Sequence, residues 1–412
     1  MVSINKVINV DFNVTAKRPS TGSYKTVVYL ISEDITGGST VKVVGATSSY
    51  MYRLCKSYSE VSDALSNNAI LCSAANFFNN GGAQLLLVKS TSPSGDTASF
   101  KSLFDNLMKA LHELRFNDSN FSEDDDFLYV CINTKLESTY GESRMSTVLD
   151  AAEASKAPYT YRVILTTDKL PESWPKYLKD AKYSAGLKYC TKKVGSDLID
   201  AALLIGAFYS QVNLNGSETI KDYCYTSEQL TDTVSVSGST FSEGVEGVSD
   251  SDYDDLIQNN ANFIDRIGQS VVNFGGNLLN GVSIHTDFGA CAAENDVTYA
   301  VLNAMMSKQY LTPAGLNKML SVISASLIRY KSNGYLELGS IYTGDTITRK
   351  YNGVQFTIIK KNSSVSQGYL VTAIPIASIS EDDRIAKRFT PIYVILQTAA
   401  GARVVEITGE VR

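Results

Sequence analysis

Between Tyr24 and Thr166 short aliphatic and β-branched runs alternate with longer stretches whose apolar residues recur at helical spacing, and this alternation is the strongest constraint on the fold. Tyr24–Ile31 (YKTVVYLI), Leu85–Val88 (LLLV), Phe127–Ile132 and Tyr161–Thr166 read as strands. Between them lie a mostly helical stretch from Tyr58 to Asn79, stopped by Asn80, Gly81 and Gly82; a helix carrying Phe100, Leu103, Phe104, Leu107, Leu111 and Leu114 on one face; and a short helix from Ser146 to Ser155. Strands that read as unbroken apolar runs are those covered on both faces, so the pattern predicts an α/β layer around a largely parallel sheet.

The same reading continues with a helix from Asp197 to Tyr209 capped by Ser196, a helix from Asp252 to Ile267, and strands at Gln269–Phe274 and Val282–Thr286. Beyond residue 285 the order changes. Helix Asn295–Met306 and a helix opened by Thr312 and Pro313 and stopped by Asn333 and Gly334 precede strands at Val354–Ile359, Tyr369–Ile374 and Ile392–Gln397. Two helices followed by strands is an α+β arrangement, so a boundary is expected near residue 285. The two ends alternate apolar and polar residues, at Ile8, Val10, Phe12 and Val14 and again at Val404, Ile407 and Val411 around Glu406, which is the period of half-buried strands.

At 412 residues the chain is long enough for two to four domains at roughly 100 to 200 residues each. Its 44% hydrophobic and 19% charged content is that of a folded protein. No apolar run is long enough to span a bilayer and the first residues do not resemble a secretory signal, so no membrane insertion is expected. Six cysteines, Cys55, Cys72, Cys131, Cys190, Cys224 and Cys291, are widely spaced with no CxxC pair, and are expected reduced and mostly buried. A net charge of −6 opposes a nucleic-acid partner. The charge is polarised: residues 218–255 carry ten acids against Lys221, whereas residues 301–361 carry eight Lys or Arg against Glu337 and Asp345. The acidic stretch overlaps a Ser, Thr and Gly-rich segment near 214–250, expected to be exposed, with a hairpin around 233–240.

Chemistry-bearing motifs are sparse, and no catalytic residue, metal site or cofactor site is assigned. There are two histidines. His112 is expected on the surface or flank of its helix. Ser283, His285 and Asp287 would share one side of a strand, the one arrangement that suggests an α/β hydrolase, but no GxSxG elbow accompanies them. Residues 275–281 match no phosphate-binding loop, and the acids at 123–126 read as a solvated loop without the spacing of a calcium site. In the helix after Pro313, Leu316, Leu320, Ile323 and Leu327 form one apolar stripe. Lys318 and Arg329, eleven residues and roughly 16 Å apart along the axis, fall opposite it and form a candidate docking ridge for an acidic surface.

Several segments resemble the contractile tail sheath proteins of bacteriophages and related injection machines, of the short phage type. They are AANFFNNGG followed by LLLVK; YDDLIQNNANFIDRIGQ with HTDFGACAAENDVTYAVLNAMM; and, most specifically, the ending GYLVTAIPIASISEDDRIAKRFTPIYVILQTAAGARVVEITGEVR, with Gly368, Tyr369, Asp383, Arg384, Arg388, Pro391 and Gly401. The resemblance implies a subtilisin-like α/β domain without catalytic residues at 21–284 and a C-terminal α+β domain next to the tail tube at 285–398. Linking arms would occupy 1–20 and 399–412. It also implies hexameric rings stacked around a tail tube, strand exchange through the arms, contact with the baseplate and tail terminator, and contraction within a virion tail assembled in the host cytoplasm. Lys318 and Arg329 would then face the tube. Another virion structural protein (tube, baseplate or capsid) is the alternative within the same class.

Overall fold

Every side chain of strand β1 (Thr26–Ile31) is buried, and consecutive residues enter different cores: Val27, Tyr29 and Ile31 pack on one side, Val28 and Leu30 on the other. A strand enclosed in this way must lie inside a sheet with both faces covered. The computed structural model describes residues 24–46, 49–90, 97–122, 125–214, 220–230, 248–267, 270–307 and 310–399. The terminal strands expected at 8–14 and 404–411 and the hairpin expected at 233–240 lie outside the described residues.

β1 is central in a seven-stranded sheet of order β2-β3-β4-β1-β5-β6-β7, with β2 (Ser39–Lys42), β3 (Ser49–Cys55), β4 (Gln84–Lys89), β5 (Phe127–Ile132), β6 (Arg162–Thr167) and β7 (Gly186–Tyr189). β4, β1, β5, β6 and β7 run parallel, while β2 and β3 close one edge antiparallel. Helices α1 (Tyr58–Ala64), α2 (Asn68–Asn79) and α5 (Leu203–Ser210) cover one face; α3 (Thr97–Asn117) and α4 (Thr134–Ala154) cover the other. A short pair, β8 (Lys193–Val194) and β9 (Asp197–Leu198), sits beside the sheet.

Beyond the sheet lie helix α6 (Asp250–Gln258) and the antiparallel pair β10 (Phe263–Ile267) and β11 (Ser270–Phe274). Asn262, just before β10, bridges to Lys188 of β7. On the far side of β11 the segment 225–228 runs alongside: Tyr225 N donates to Asn273 O at 2.7 Å and Asn273 N to Thr226 O at 2.9 Å. Helices α7 (Ile284–Met306) and α8 (Pro313–Ser332) pack on each other and continue the core of the first face. Phe288 of α7 lies among Tyr24, Tyr129 and Tyr209, with centroids 4.9–6.4 Å away. The remaining strands form three two-stranded pairs, β12 (Ser340–Ile341) with β15 (Ser364–Val365), β13 (Ile347–Tyr351) with β14 (Val354–Ile359), and β16 (Tyr369–Ala373) with β17 (Ile392–Leu396), and the short helix α9 (Glu381–Ile385) joins the last two.

Several expectations are corrected. The strand expected at Val282–Thr286 is the start of α7, with Ser283 at its N-cap. This helix is buried on several sides and is rich in Gly, Ala and Cys (FGACAA), so its sequence shows little helical periodicity. The helix expected from Asp252 to Ile267 ends at Gln258 and gives way to β10; Asn259 closes it and Asn260 takes a positive φ. The helix expected from Asp197 begins at Leu203, because residues 197–198 pair with β8. The stretch from Tyr58 to Asn79 splits at Leu65, and Asn67 caps its second part. The helix expected from Ser146 starts at Thr134 and bends at Gly141, whose φ of 70° suits glycine. β2, β3, β7 and β13, and the two-residue strands β8, β9, β12 and β15, were not foreseen: β2 is hydroxyl-rich and mostly exposed, β3 is mostly half-buried, and β7 is only four residues long.

Candidate assembly interface

α8 begins where Thr312 accepts the amide of Gly315 at 3.1 Å and Pro313 fills the first turn. Its buried stripe is Leu316, Met319, Ile323, Leu327 and Tyr330, so Met319 takes the place expected for Leu320. The hairpin β16–β17 lies on this helix, with Tyr369, Val371, Ile392, Val394 and Leu396 turned to the core. Gly368 precedes β16 at φ 74°, where a Cβ would stand 2.7 Å from the Leu336 side chain, so only glycine lets the hairpin sit this close.

The hairpin's edges are the feature with consequences for partners. Gln397 N donates to Gly368 O at 2.8 Å and Ile374 N to Pro391 O at 3.1 Å, which sets the inward-bonding residues in the antiparallel register. Main-chain groups of Tyr369, Val371 and Ala373 on one edge, and of Ile392, Val394 and Leu396 on the other, therefore point outward. Among the described residues no strand pairs with either edge over these positions. The face away from α8 carries Leu370, Thr372, Tyr393 and Ile395, all half-buried. A two-stranded sheet with open edges and an apolar outer face is marginal alone and suited to accept further strands. Beyond β17 the chain is tied down: Thr398 bridges Leu336 and Ala399 N donates to Tyr335 O at 2.9 Å.

Lys318 is exposed on α8. Arg329 is not on the same open face: its guanidinium binds Asp296 of α7 and the hydroxyl of Tyr330, and it is half-buried. Side-chain length explains the departure from the helical projection, since the guanidinium reaches a carboxylate on the neighbouring helix α7 that the wheel of α8 does not show. Arg349 and Lys350 on β13, with Lys360 and Lys361 after β14, supply further exposed cations. The candidate arm residues Ile8, Val10, Phe12, Val14, Val404, Glu406, Ile407 and Val411 lie outside the described residues.

The serine, histidine and aspartate do not form a relay. Ser283 Oγ donates to His285 Nδ1 at 2.7 Å, and His285 Nε2 lies 3.1 Å from the Ala399 carbonyl, which can only accept. Both oxygens of Asp287 are taken by Arg162 of β6, at 2.9 and 3.0 Å. The carboxylate that would orient the imidazole is thus part of an ion pair, and His285 tethers the chain where it leaves β17. His112 is buried, not superficial: it bonds Asp126 at 2.7 Å and stacks on Phe127 at 3.8 Å. Asp126 also pairs with Arg115, and Asp125 is buried, so this part of the acidic run is an internal anchor instead of a solvated loop. Among the described residues no group of His, Cys, Asp and Glu could hold a metal, and no helix is long and apolar enough to cross a membrane.

A cleft of about 410 Å³ opens at the carboxyl ends of β5 and β6, where α/β sheets commonly bind ligands. Two of its lysines are paired within the chain, Lys135 with Asp197 and Lys193 with Asp168. Glu137 on its wall bonds Tyr177, and burial pushes its carboxyl up to about 7; beside it Asp200, bonded to Tyr29, Asn133 and Thr134, is raised by burial to about 6. Both folded-state values exceed those of the unfolded chain, so this contribution is complete below the unfolded values and is lost as pH rises through about 6 to 7. Thermal melts of Glu137→Gln are expected to lack on the order of 2 kcal/mol of the stabilisation that wild type gains between about pH 8 and about pH 5. Parallel pH profiles would refute the assignment.

No family model matches the chain, and no curated protein matches it. A solved structure similar to it is that of the sheath tail protein from Desulfitobacterium hafniense, at 8% sequence identity and a TM-score of 0.45, covering 80% of this chain and 91% of that chain.

Proposed function

We propose that this chain is the structural subunit of a contractile tail sheath. The observation that carries the reading is the pairing of two kinds of segment: a hairpin, β16–β17, with outward main-chain groups on both edges, and chain ends whose alternation suits added strands. The resemblance of the C-terminal segment to sheath endings supports it. In this reading residues 1–20 and 399–412 are linking arms, 21–284 a subtilisin-like domain, and 285–398 the tube-proximal domain. Each arm completes a neighbour's sheet, six subunits close a ring, and rings stack around a tail tube between baseplate and tail terminator. Contraction is rigid-body repacking of subunits held together by the exchanged strands, driving the tube through the target envelope. Lys318, exposed on α8, lies toward an acidic tube, whereas Arg329, held by Asp296 of α7, stays within the subunit.

Electron microscopy of the purified protein tests this. Hollow sleeves of sixfold symmetry are expected from the full chain and are expected to vanish when residues before Pro19 and after Gly401 are removed. Sleeves from the truncated chain would overturn strand exchange, and shells or smooth narrow tubes would favour another virion role. Reversal of Lys318 to glutamate is expected to weaken tube binding at low salt; unchanged binding removes the tube-facing assignment.

A further inference from the structure

Lys188 of β7 is completely buried, and its ammonium nitrogen meets three polar side chains. It donates to Tyr223 Oη at 2.7 Å, to Asn273 Oδ1 at 2.8 Å and to the Glu228 carboxylate, while Tyr223 Oη donates to the other oxygen of Glu228. Asn273 is likewise fully buried and Glu228 nearly so. Three backbone segments bring them together: β7 at the end of the main sheet, β11, and the 225–228 segment beside β11. The nitrogen also lies 4.9 Å from the centroid of the Tyr223 ring, and Phe208 and Tyr209 stand behind that ring. The Asn273 carboxamide nitrogen donates to the Tyr223 carbonyl at 3.3 Å. A buried lysine nitrogen that touches both an asparagine carboxamide and a carboxylate, beside an aromatic ring, has the composition and placement needed to form an amide between two side chains.

We propose that Lys188 and Asn273 condense to an intramolecular isopeptide bond with Glu228 as the proton-transfer group. Glu228 takes a proton from the Lys188 ammonium, and the amine lone pair attacks Asn273 Cγ. The hydrogen bond to Oδ1 already sets the nucleophile beside that carbon. Glu228 passes its proton to the carboxamide nitrogen and accepts one from the attacking nitrogen. The bond from Cγ to the original nitrogen then breaks, ammonia leaves and takes up the proton from Glu228, and the carboxylate is restored. The balance is one new C–N bond, one broken C–N bond and one ammonium ion released, with no oxidant or reductant. Burial holds the Tyr223 phenol protonated, so it serves as a hydrogen-bond donor to Glu228 throughout. The product would join residues 85 positions apart and lock β11 to the main sheet by a covalent strut. This inference does not depend on the sheath reading.

Intact-mass measurement of the full-length folded chain, denatured just before analysis, tests it. Wild type is expected to weigh one ammonia less than its sequence, trypsin is expected not to cleave after Lys188, and tandem mass spectrometry is expected to find a branched peptide joining Lys188 to Asn273. Glu228→Gln and Lys188→Arg are expected at full sequence mass. Wild type at full sequence mass after prolonged incubation near neutral pH overturns the proposal, as does a light species still cut at Lys188, which signals a cyclised asparagine. A crosslink persisting in Glu228→Gln overturns the role of Glu228. The decisive measurement is on wild type, so poor folding of a variant leaves the test intact.

Discussion

If the chain assembles through β16–β17 as proposed, proline at Ala373 or at Val394 is expected to yield a folded monomer that no longer polymerises. Both residues direct their amides outward from the β16–β17 hairpin, so proline removes no hydrogen bond within the subunit, and an outward-facing edge is where strands tolerate it. The same substitution at Thr372, whose amide points inward toward β17, removes a ladder bond and is expected to lower the melting temperature of the monomer. Sedimentation and electron microscopy measure assembly, and circular dichroism measures the monomer. The contrast between adjacent residues is the informative part: a fold-level defect affects Thr372→Pro most, whereas an assembly defect follows Ala373→Pro and Val394→Pro. Sleeves of normal length from both outward-edge variants would show that the hairpin accepts no strand.

What was legible from residue order follows from how each element is buried. Strands covered on both faces, such as β1, β4 and β5, are continuous apolar runs and stand out without any partner information. α8 is legible at its start because Thr312 and Pro313 announce a helix through local chemistry, and its stripe is right except that Met319 replaces Leu320. α7 is the opposite case. Its buried residues include Ile284, Phe288, Cys291, Ala292, Asn295 and Leu302, spread around the helix, so the opening Ile284, His285, Thr286, Asp287 reads as alternation and suggests a strand. Asp126 looks solvated in a run of acids because nothing nearby in the sequence discloses that His112 and Arg115, one helical turn apart on α3, converge on it. The Lys188, Glu228 and Asn273 cluster has no sequence signature. Its members are 40 and 85 residues from the lysine, and one belongs to the acidic stretch that seemed merely exposed. Local patterns record burial and caps, whereas charge pairing across the fold is a tertiary property.

The joint between α7 and the main sheet is expected to be a sensitive electrostatic contact. Arg162 extends from β6 to grip both oxygens of Asp287 on the first turns of α7, and the two side chains are 13% and 12% exposed. Burial works against the charged guanidinium, but Cys291 and Asp287 beside it outweigh that and raise its pKa, and the carboxylate also suits the positive end of the helix. Asp287→Ala leaves a guanidinium buried without its counter-charge, a change that costs about 3–5 kcal/mol when a buried pair loses one member. The double variant Arg162→Met with Asp287→Leu is expected to recover most of that loss, because two apolar side chains leave no charge to desolvate. Urea unfolding of both variants checks this. If Asp287→Ala falls within about 1 kcal/mol of wild type, the pair behaves as a surface contact and contributes little. If the double variant is as unstable as the single one, packing and not charge governs the joint. Its position matters for the proposed machine because α7 also carries Asp296, the partner of Arg329 on α8, so one helix connects the sheet to the element beneath the open hairpin. A force applied to exchanged strands would enter at β16–β17, pass through α8 and α7, and reach the sheet through Arg162, so a weakened joint should let the hairpin move without carrying the rest of the subunit.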